Sequence, residues 1–200
     1  MVNKTDGRTT DTKQRILKEA RRLYLKGGYA GISLKEIALQ LEISKPALFH
    51  HFKSKQELFY AVMLDIGENI QQTVAEAMSQ GADSRSRLRN VMLAMRRQPF
   101  FDPMKFLNEE ISELSEAQQK HVSGYYQGGL QGAVMQILAE GVRSQEFRDH
   151  NLKIAAMAFT NLMMLLPSPG SPLTRYMPDQ DTEAYIDELL TLFIEGLRNN

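Results

Sequence analysis

Residues 33–58 read SLKEIALQLEISKPALFHHFKSKQEL and hold three helix starts in tandem. Ser33 with Glu36 and Ser54 with Glu57 each form an S-x-x-E capping box, in which two side chains satisfy backbone N–H groups that a helix start leaves without partners. Ser44 stands between them as a third N-cap. Lys45-Pro46 follows it, and proline is tolerated in a first turn because its missing N–H would have had no intrahelical acceptor. The string predicts helix, tight turn, short helix, turn, helix. The first of these buries Leu34, Ile37, Ala38 and Leu41 at i, i+3, i+4 and i+7, and the short one buries Leu48 and Phe52 at i and i+4. A helix of about eight residues does not stand alone. One held by a preceding helix and opening with a cation and small side chains has the form of a recognition helix that enters a major groove by its N-terminus. A single S-x-x-E pair reads better as an ordinary corner between two helices; three starts at this spacing favour helix-turn-helix.

Outward from this stretch the chain stays helical. A first helix runs from Asp11 or Thr12 to Lys26, burying Ile16, Ala20, Leu23 and Tyr24, and Gly27-Gly28 stops it. The helix that starts at Lys55 continues to about Gln80 with Leu58, Phe59, Val62, Met63, Ile66 and Ile70 inward. Further helices are predicted over 84–97, ending before Pro99, then a short one opened by Pro103, then 115–142, 152–166 and about 182–198. The expected fold is therefore all-α. An N-terminal three-helix helix-turn-helix domain covers residues 1–60, with 1–10 a flexible arm. A helical ligand-sensing and dimerisation domain covers 61–200, and the boundary falls inside a helix with no linker.

Gly124, Gly128 and Gly132 recur at i, i+4 and i+8, each costing about 1 kcal/mol relative to alanine inside a helix. A closely packed neighbouring helix is the preferred explanation, and room for a ligand the second. Residues 152–166, LKIAAMAFTNLMMLL, are the most apolar run. Lys153, Thr160 and Asn161 interrupt it, far short of the roughly 18 apolar residues of a transmembrane span, so it is expected to be a buried helix. Pro167, Pro169, Gly170, Pro172 and Pro178 mark a loop before the last helix. Two late apolar helices suggest a four-helix interface between two copies of the chain.

Residues 15–58 resemble the N-terminal domain of the tetracycline-repressor (TetR) family. The resemblance rests on Arg15-Ile16-Leu17, Ala20, Leu23-Tyr24, Gly28-Tyr29, Ser33, Ile37-Ala38, Ile43-Ser44-Lys45, Leu48-Phe49, His51-Phe52, Ser54-Lys55 and Leu58. It implies a homodimeric, ligand-responsive transcription regulator, a repressor that binds a pseudo-palindromic double-stranded DNA operator and leaves it when a small molecule binds. The alternative is a DNA-binding helical protein whose second domain only dimerises. The DNA-binding set is Ser33, Ser44, Lys45, Pro46, Ala47, Phe49, His50, His51 and Lys55. Lys45 and His50 are placed at the major groove; His51, Lys55 and the helix start at Ser33 are placed at phosphates. Three positions depart from the family pattern. Glu42 stands where glycine is usual in the turn, Phe49 replaces a tyrosine and its hydroxyl, and Ala47 is limited to apolar contact such as a thymine methyl.

The charge distribution agrees without the resemblance. The chain is neutral overall, yet residues 1–60 hold 12 Lys+Arg against 6 Asp+Glu and the remainder 12 against 18. A basic N-terminal module gains from counterion release at a polyanion, and an acidic remainder is repelled by it. There is no cysteine, which excludes disulfides, thiolate metal sites and a cysteine nucleophile. The first fifteen residues lack an apolar core, so no secretory signal is expected, and with no membrane span the expected location is cytoplasmic. Enzyme readings find little support. The residues three before the histidines are Ala47, Leu48, Gln118 and Phe147, so no Glu-x-x-His pair exists, and G-x-S-x-G, H-E-x-x-H and a phosphate loop are absent. No catalytic residue, metal or cofactor is expected.

Ten of the eleven methionines follow residue 60, and methionine adapts its shape to a ligand. The expected pocket draws on Met63, Met92, Met95, Phe101, Phe106, Asn108, His121, Tyr125, Tyr126, Phe159 and Asn161, most of which also suit a plain core. Glu109 and Glu110 are adjacent, so at most one faces inward.

Overall fold

Ile16, Ala20, Leu23 and Tyr24 form the buried face of α1 (Thr5–Gly31). In this computed structural model the described residues are 5–99, 101–166, 168–169, 171–175 and 182–197, with no account of the side chains of residues 5–10, Tyr126, Gln127, Pro172 and Arg175. Residues 5–10 of the expected arm are helical, and residues 1–4 lie outside the described residues. The predicted stop is a kink: Gly28 adopts φ 66°, ψ −162°, beyond which one more helical turn follows.

Next come α2 (Leu34–Gln40), α3 (Lys45–His51) and α4 (Lys55–Ser79). Each has the serine cap the sequence predicts, but neither S-x-x-E pair closes the reciprocal half of a capping box. Ser33 Oγ accepts from the Glu36 N–H at 3.3 Å, Ser44 Oγ from the Ala47 N–H at 3.3 Å, and Ser54 Oγ from the Glu57 N–H at 3.0 Å. Glu57 reaches back to the Lys53 N–H at 2.7 Å, one residue before the N-cap. Between α2 and α3 the chain turns through Glu42 at φ 53°. The Ile43 N–H donates to the Ala38 carbonyl and the Glu42 N–H to the Leu39 carbonyl, the paired bonds of a Schellman motif.

Then follow α5 (Ser84–Arg96), started by an Asp83–Ser86 capping box, and the one-turn α6 (Pro103–Lys105), capped by Asp102. A π-helical turn, Phe106–Glu110, and a 3-10 turn, Ile111–Glu113, lead into α7 (Glu116–Tyr126). A second π-helical turn, Gln127–Gln131, precedes α8 (Gly132–Arg143). Last are α9 (Leu152–Leu162), continued by the 3-10 turn Met163–Leu165, and α10 (Thr182–Glu195).

These elements form two compact units, Met1–Ile66 with Phe101–Val122, and Gly67–Phe100 with Ser123–Asn200. Helix α4 gives residues 55–66 to the first and 67–79 to the second, and α7 divides between residues 122 and 123. The core of the second unit gathers Val74, Leu88, Met92, Ile137, Phe159, Ile186 and Leu190. Along it α5 and α10 are laced by arginines: Arg85 to Thr191, Arg89 to Asp187 and Glu183, Arg96 to Thr182. Among the described residues no helix is long and apolar enough to cross a membrane.

Two expectations are corrected. A Cβ on Gly124 or Gly128 would meet nothing within 4 Å, so these two positions of the stripe do not mark a packed neighbour. Near this segment, close approaches occur instead at Gly129, whose Cβ would lie 3.1 Å from Gln71 Cγ, and at Gly67, 3.0 Å from Tyr125 Cβ. Gly129, within the π-helical turn, is buried, whereas Gly124 and Gly128 are exposed. The 152–166 helix is likewise amphipathic rather than buried. Ala155, Ala156, Phe159, Met163 and Leu166 face the core, while Ile154, Met157 and Leu165 are exposed. The loop residues Pro167, Gly170 and Pro178, and Arg198 at the expected end of the last helix, lie outside the described residues.

Candidate nucleic-acid interface

Helix α3 has two chemically opposite sides. Leu48 and the following Phe52 are fully buried, whereas Lys45, Pro46, Phe49 and His50 are exposed, with Ala47 and His51 half-buried. Leu48 and Phe52 fix the roll of the helix, and burying two such side chains contributes roughly 3–6 kcal/mol before entropy is counted. Its ends are tied as well. The exposed Ser44 caps the start, and Lys53 Nζ donates at 3.3 Å to the His50 carbonyl left open at the last turn. Lys13 sits 5.8 Å from the centre of the Phe52 ring, and Arg15 reaches the Leu41 carbonyl, the α2 C-cap, at 3.4 Å. A seven-residue helix thus presents a cation, an aromatic ring and an imidazole on one rigid edge.

His51 is held below the ordinary histidine range, chiefly by desolvation and then by the charges of His50, Lys13 and Lys53. An approaching phosphate would relieve that repulsion, which makes His51 a group whose proton uptake couples to anion binding. Phe49 is 41 % exposed and offers only its ring edge and face. At α2, the Ser33 hydroxyl accepts from its own helix start and keeps its proton to donate outward.

Lys55 is engaged elsewhere. Its ammonium lies 4.4 Å from the centre of the Tyr29 ring and donates to the Ala30 carbonyl at 3.4 Å, which ties the end of α1 to the start of α4. Lys53, absent from the sequence-derived set, is exposed beside α3; its signal was the Lys-Ser-Lys triplet around the Ser54 cap. A second omission is Glu110. Of the adjacent pair, Glu109 is exposed and Glu110 buried, 6 % accessible. It accepts from the Tyr24 hydroxyl at 2.8 Å and the Tyr29 N–H at 2.9 Å. No local pattern announces a partner 81 residues distant.

The residues expected to line a pocket divide between the units. In the first, Met63 and Phe106 are core, Phe106 packs 6.4 Å from the Phe59 ring, and Phe101 stacks near Tyr24 and Phe106. Asn108 is exposed, and so is His121, whose Nδ1 pairs with the Tyr60 hydroxyl at 2.5 Å. In the second, Met92 and Phe159 are fully buried, Met95 is partly buried against the same core, and the Tyr125 hydroxyl donates to Glu68 at 3.4 Å. Asn161 is exposed and donates its amide to the Met157 carbonyl one turn back. The Tyr126 side chain lies outside the described residues.

Residues 16–62 match the model of the bacterial regulatory proteins, tetR family. The chain is 34% identical over 92 residues to the HTH-type transcriptional activator FasR of Mycolicibacterium smegmatis, an alignment covering 46% of this chain and 40% of FasR. The chain therefore spans about two-fifths of that relative's length. Along nearly its whole length it is similar to the crystal structure of the TetR family regulator PfmR from Thermus thermophilus. That match has a TM-score of 0.69 and 25% identity, and covers 93% of this chain and 97% of PfmR. The structure of AibR in complex with isovaleryl coenzyme A and operator DNA shares the fold, with a TM-score of 0.68 at 17% identity, covering 93% and 97% of the two chains. Residues 16–62 thus match the helix-turn-helix of the bacterial regulatory proteins, tetR family, and the chain is similar in fold from end to end to the TetR family regulator PfmR.

Proposed function

We propose that the protein is a dimeric transcription regulator that binds a pseudo-palindromic operator through α3 and is released by a small apolar or acyl-bearing molecule. The observation that carries this reading is the two-sided α3: Leu48 and Phe52 anchored, Lys45, Phe49 and His50 outward. Lys45 and His50 take the base edges, His51 and Lys53 the phosphates. Phosphate contacts set affinity and register, and base contacts set sequence. The function is regulatory, not catalytic.

Dimerisation is supported by apolar surface on the last two long helices. Ile154, Met157 and Leu165 around α9 and Leu192 on α10 are exposed, as an interface between copies requires. Effector binding is supported by partly buried Leu93, Met95, Leu130 and Met135 around the second core, side chains that repack around an apolar guest. AibR has been crystallised with an acyl coenzyme A, which makes acyl coenzyme A thioesters the first probes here. Because α4 belongs to both units, an effector that prefers one packing of the second has a covalent route to the first. Repression is the simplest output, an operator overlapping a promoter being blocked by occupancy.

A second reading, a dimerisation module without a ligand, is favoured by the full burial of Met92 and Phe159. One set of measurements separates the two. Lys45→Ala should flatten preference for the selected operator over shuffled DNA by about 1–3 kcal/mol with little change in non-specific affinity. Titrating acyl coenzyme A into the wild-type complex should then release DNA. Retained preference in Lys45→Ala contradicts the placement of α3; release by no thioester favours the second reading.

A further inference from the structure

Glu110 is a carboxyl group buried in the first unit on a π-helical turn, and the reading of α3 leaves it without a role. All its partners converge on the corner where α1 ends. Tyr24 Oη–H donates to Oε2 at 2.8 Å, the Tyr29 N–H donates to Oε1 at 2.9 Å, and Lys105 Nζ stands 3.7 Å from Oε1. The corner is shaped to admit it. Gly28 has φ 66°, and a Cβ there would run into Glu110 Oε1, so the glycine leaves the carboxyl group its place. The kink turns the Tyr29 N–H out of the α1 ladder, and Glu110 is the acceptor it meets. The Tyr29 ring is gripped as well: Phe59 lies edge-on at 4.9 Å, Lys55 lies over its face, and Glu113 stands beside its hydroxyl. Ile32 and Ser33, the entry to α2, follow within four residues. Whatever fixes Tyr29 therefore fixes the direction in which the helix-turn-helix leaves α1.

We propose that Glu110 is a positioning residue for operator binding: its carboxyl group locks the α1–α2 corner through Tyr24 and the Tyr29 amide and so holds the reading helices in the operator-competent arrangement. This rests on the regulator reading above. The 101–122 segment that carries Glu110 is joined at both ends to chain belonging to the second unit. Withdrawal of the π-helical turn is thus the point at which a signal carried along the chain is read as lost affinity. A group that holds a conformer, without touching DNA, acts on apparent affinity through the population of that conformer. Sequence-specific binding by two half-sites needs the fixed orientation; non-specific phosphate contact tolerates its loss.

The test uses the full chain and two duplexes: the one wild type enriches from a random-sequence pool, and a shuffled version. Glu110→Ala leaves the Tyr29 N–H without its acceptor, and affinity for the enriched duplex should fall about tenfold or more while the shuffled duplex changes little. Glu110→Gln should restore most of it, because the carboxamide oxygen accepts from Tyr29 while its NH₂ donates to the Tyr24 oxygen. Tyr24→Phe should weaken binding less, and its effect should vanish in the Glu110→Ala background. Amide exchange at Tyr29 should quicken in Glu110→Ala and not in Glu110→Gln. Unaltered discrimination in a folded Glu110→Ala, or equal loss on both duplexes with no rescue by glutamine, overturns the assignment and leaves the regulator reading intact. A wild-type protein that enriches no sequence overturns the regulator reading and this role together.

Discussion

The Lys55 ammonium lies over the Tyr29 ring, 4.4 Å from its centre, and donates to the neighbouring Ala30 carbonyl. It holds the end of α1 against the start of α4, whereas Lys53, two residues earlier, is exposed and its ammonium donates to the open end of α3. In DNA titrations across salt concentrations, Lys53→Ala should lower the slope of log K against log salt by about one unit. Lys55→Ala should leave the slope and lower the unfolding midpoint. A reduced slope for Lys55→Ala would return that lysine to the phosphate set.

His51 supplies a pH dependence with a definite sign. Its folded pKa is lowered, chiefly by desolvation, so the unfolded chain binds more protons than the folded one as pH falls through the ordinary value of about 6.5. The free protein should therefore lose stability on acidification through that range. A phosphate beside His51 raises its pKa, so complex formation takes up a proton and affinity should rise as pH falls from about 8 to 6. His51→Gln should flatten both dependences. If the mutant follows wild type in DNA affinity at every pH, His51 is not at a phosphate.

Two helix glycines should respond with opposite signs. Gly124 has open space where a Cβ would stand, so Gly124→Ala should raise stability by about 0.5–1 kcal/mol through helix propensity and a less entropic unfolded chain. At Gly141 a Cβ would run into the Phe147 ring and lie 2.9 Å from Ser84 Oγ. Gly141→Ala should cost about 1–3 kcal/mol, as overpacked cores do. Urea midpoints of the two variants decide this, and a stabilised Gly141→Ala would contradict the packing of α8.

Glu42 holds the C′ position of the Schellman turn at φ 53°, a conformation that costs a residue with a Cβ roughly 1 kcal/mol. Glu42→Gly should stabilise the protein by a few tenths to about 1 kcal/mol, since glycine also loses more freedom on folding. A destabilised variant would show that the Glu42 side chain contributes more than its backbone strain removes.

The legible parts of this molecule are those whose causes are local. Ser33, Ser44 and Ser54 sit within three residues of the N–H groups they cap, so α2, α3 and α4 could be bounded from the chain alone. The turn at Glu42 was marked only through the resemblance, which puts glycine there, and its positive φ came from the fold. The glycine stripe misled because spacing alone does not say which way a stripe faces, and Gly124 and Gly128 lie on an exposed one. Residues 5–10 joined α1 although Asp11 and Thr12 offered a later cap, since nothing in that stretch forbids a helix. Glu110 and Lys55 were out of reach: their partners lie 81 and 25 residues away, and only the folded chain brings them together.

The most direct measurement is fluorescence anisotropy of the wild-type chain on the duplex it enriches from random sequence, against a shuffled duplex, at two salt concentrations. The account predicts that the enriched duplex binds about 10³-fold or more tightly, that both affinities fall with salt, and that the preference survives the change. Equal affinity for the two duplexes would contradict it, leaving a basic helical module with no sequence to read.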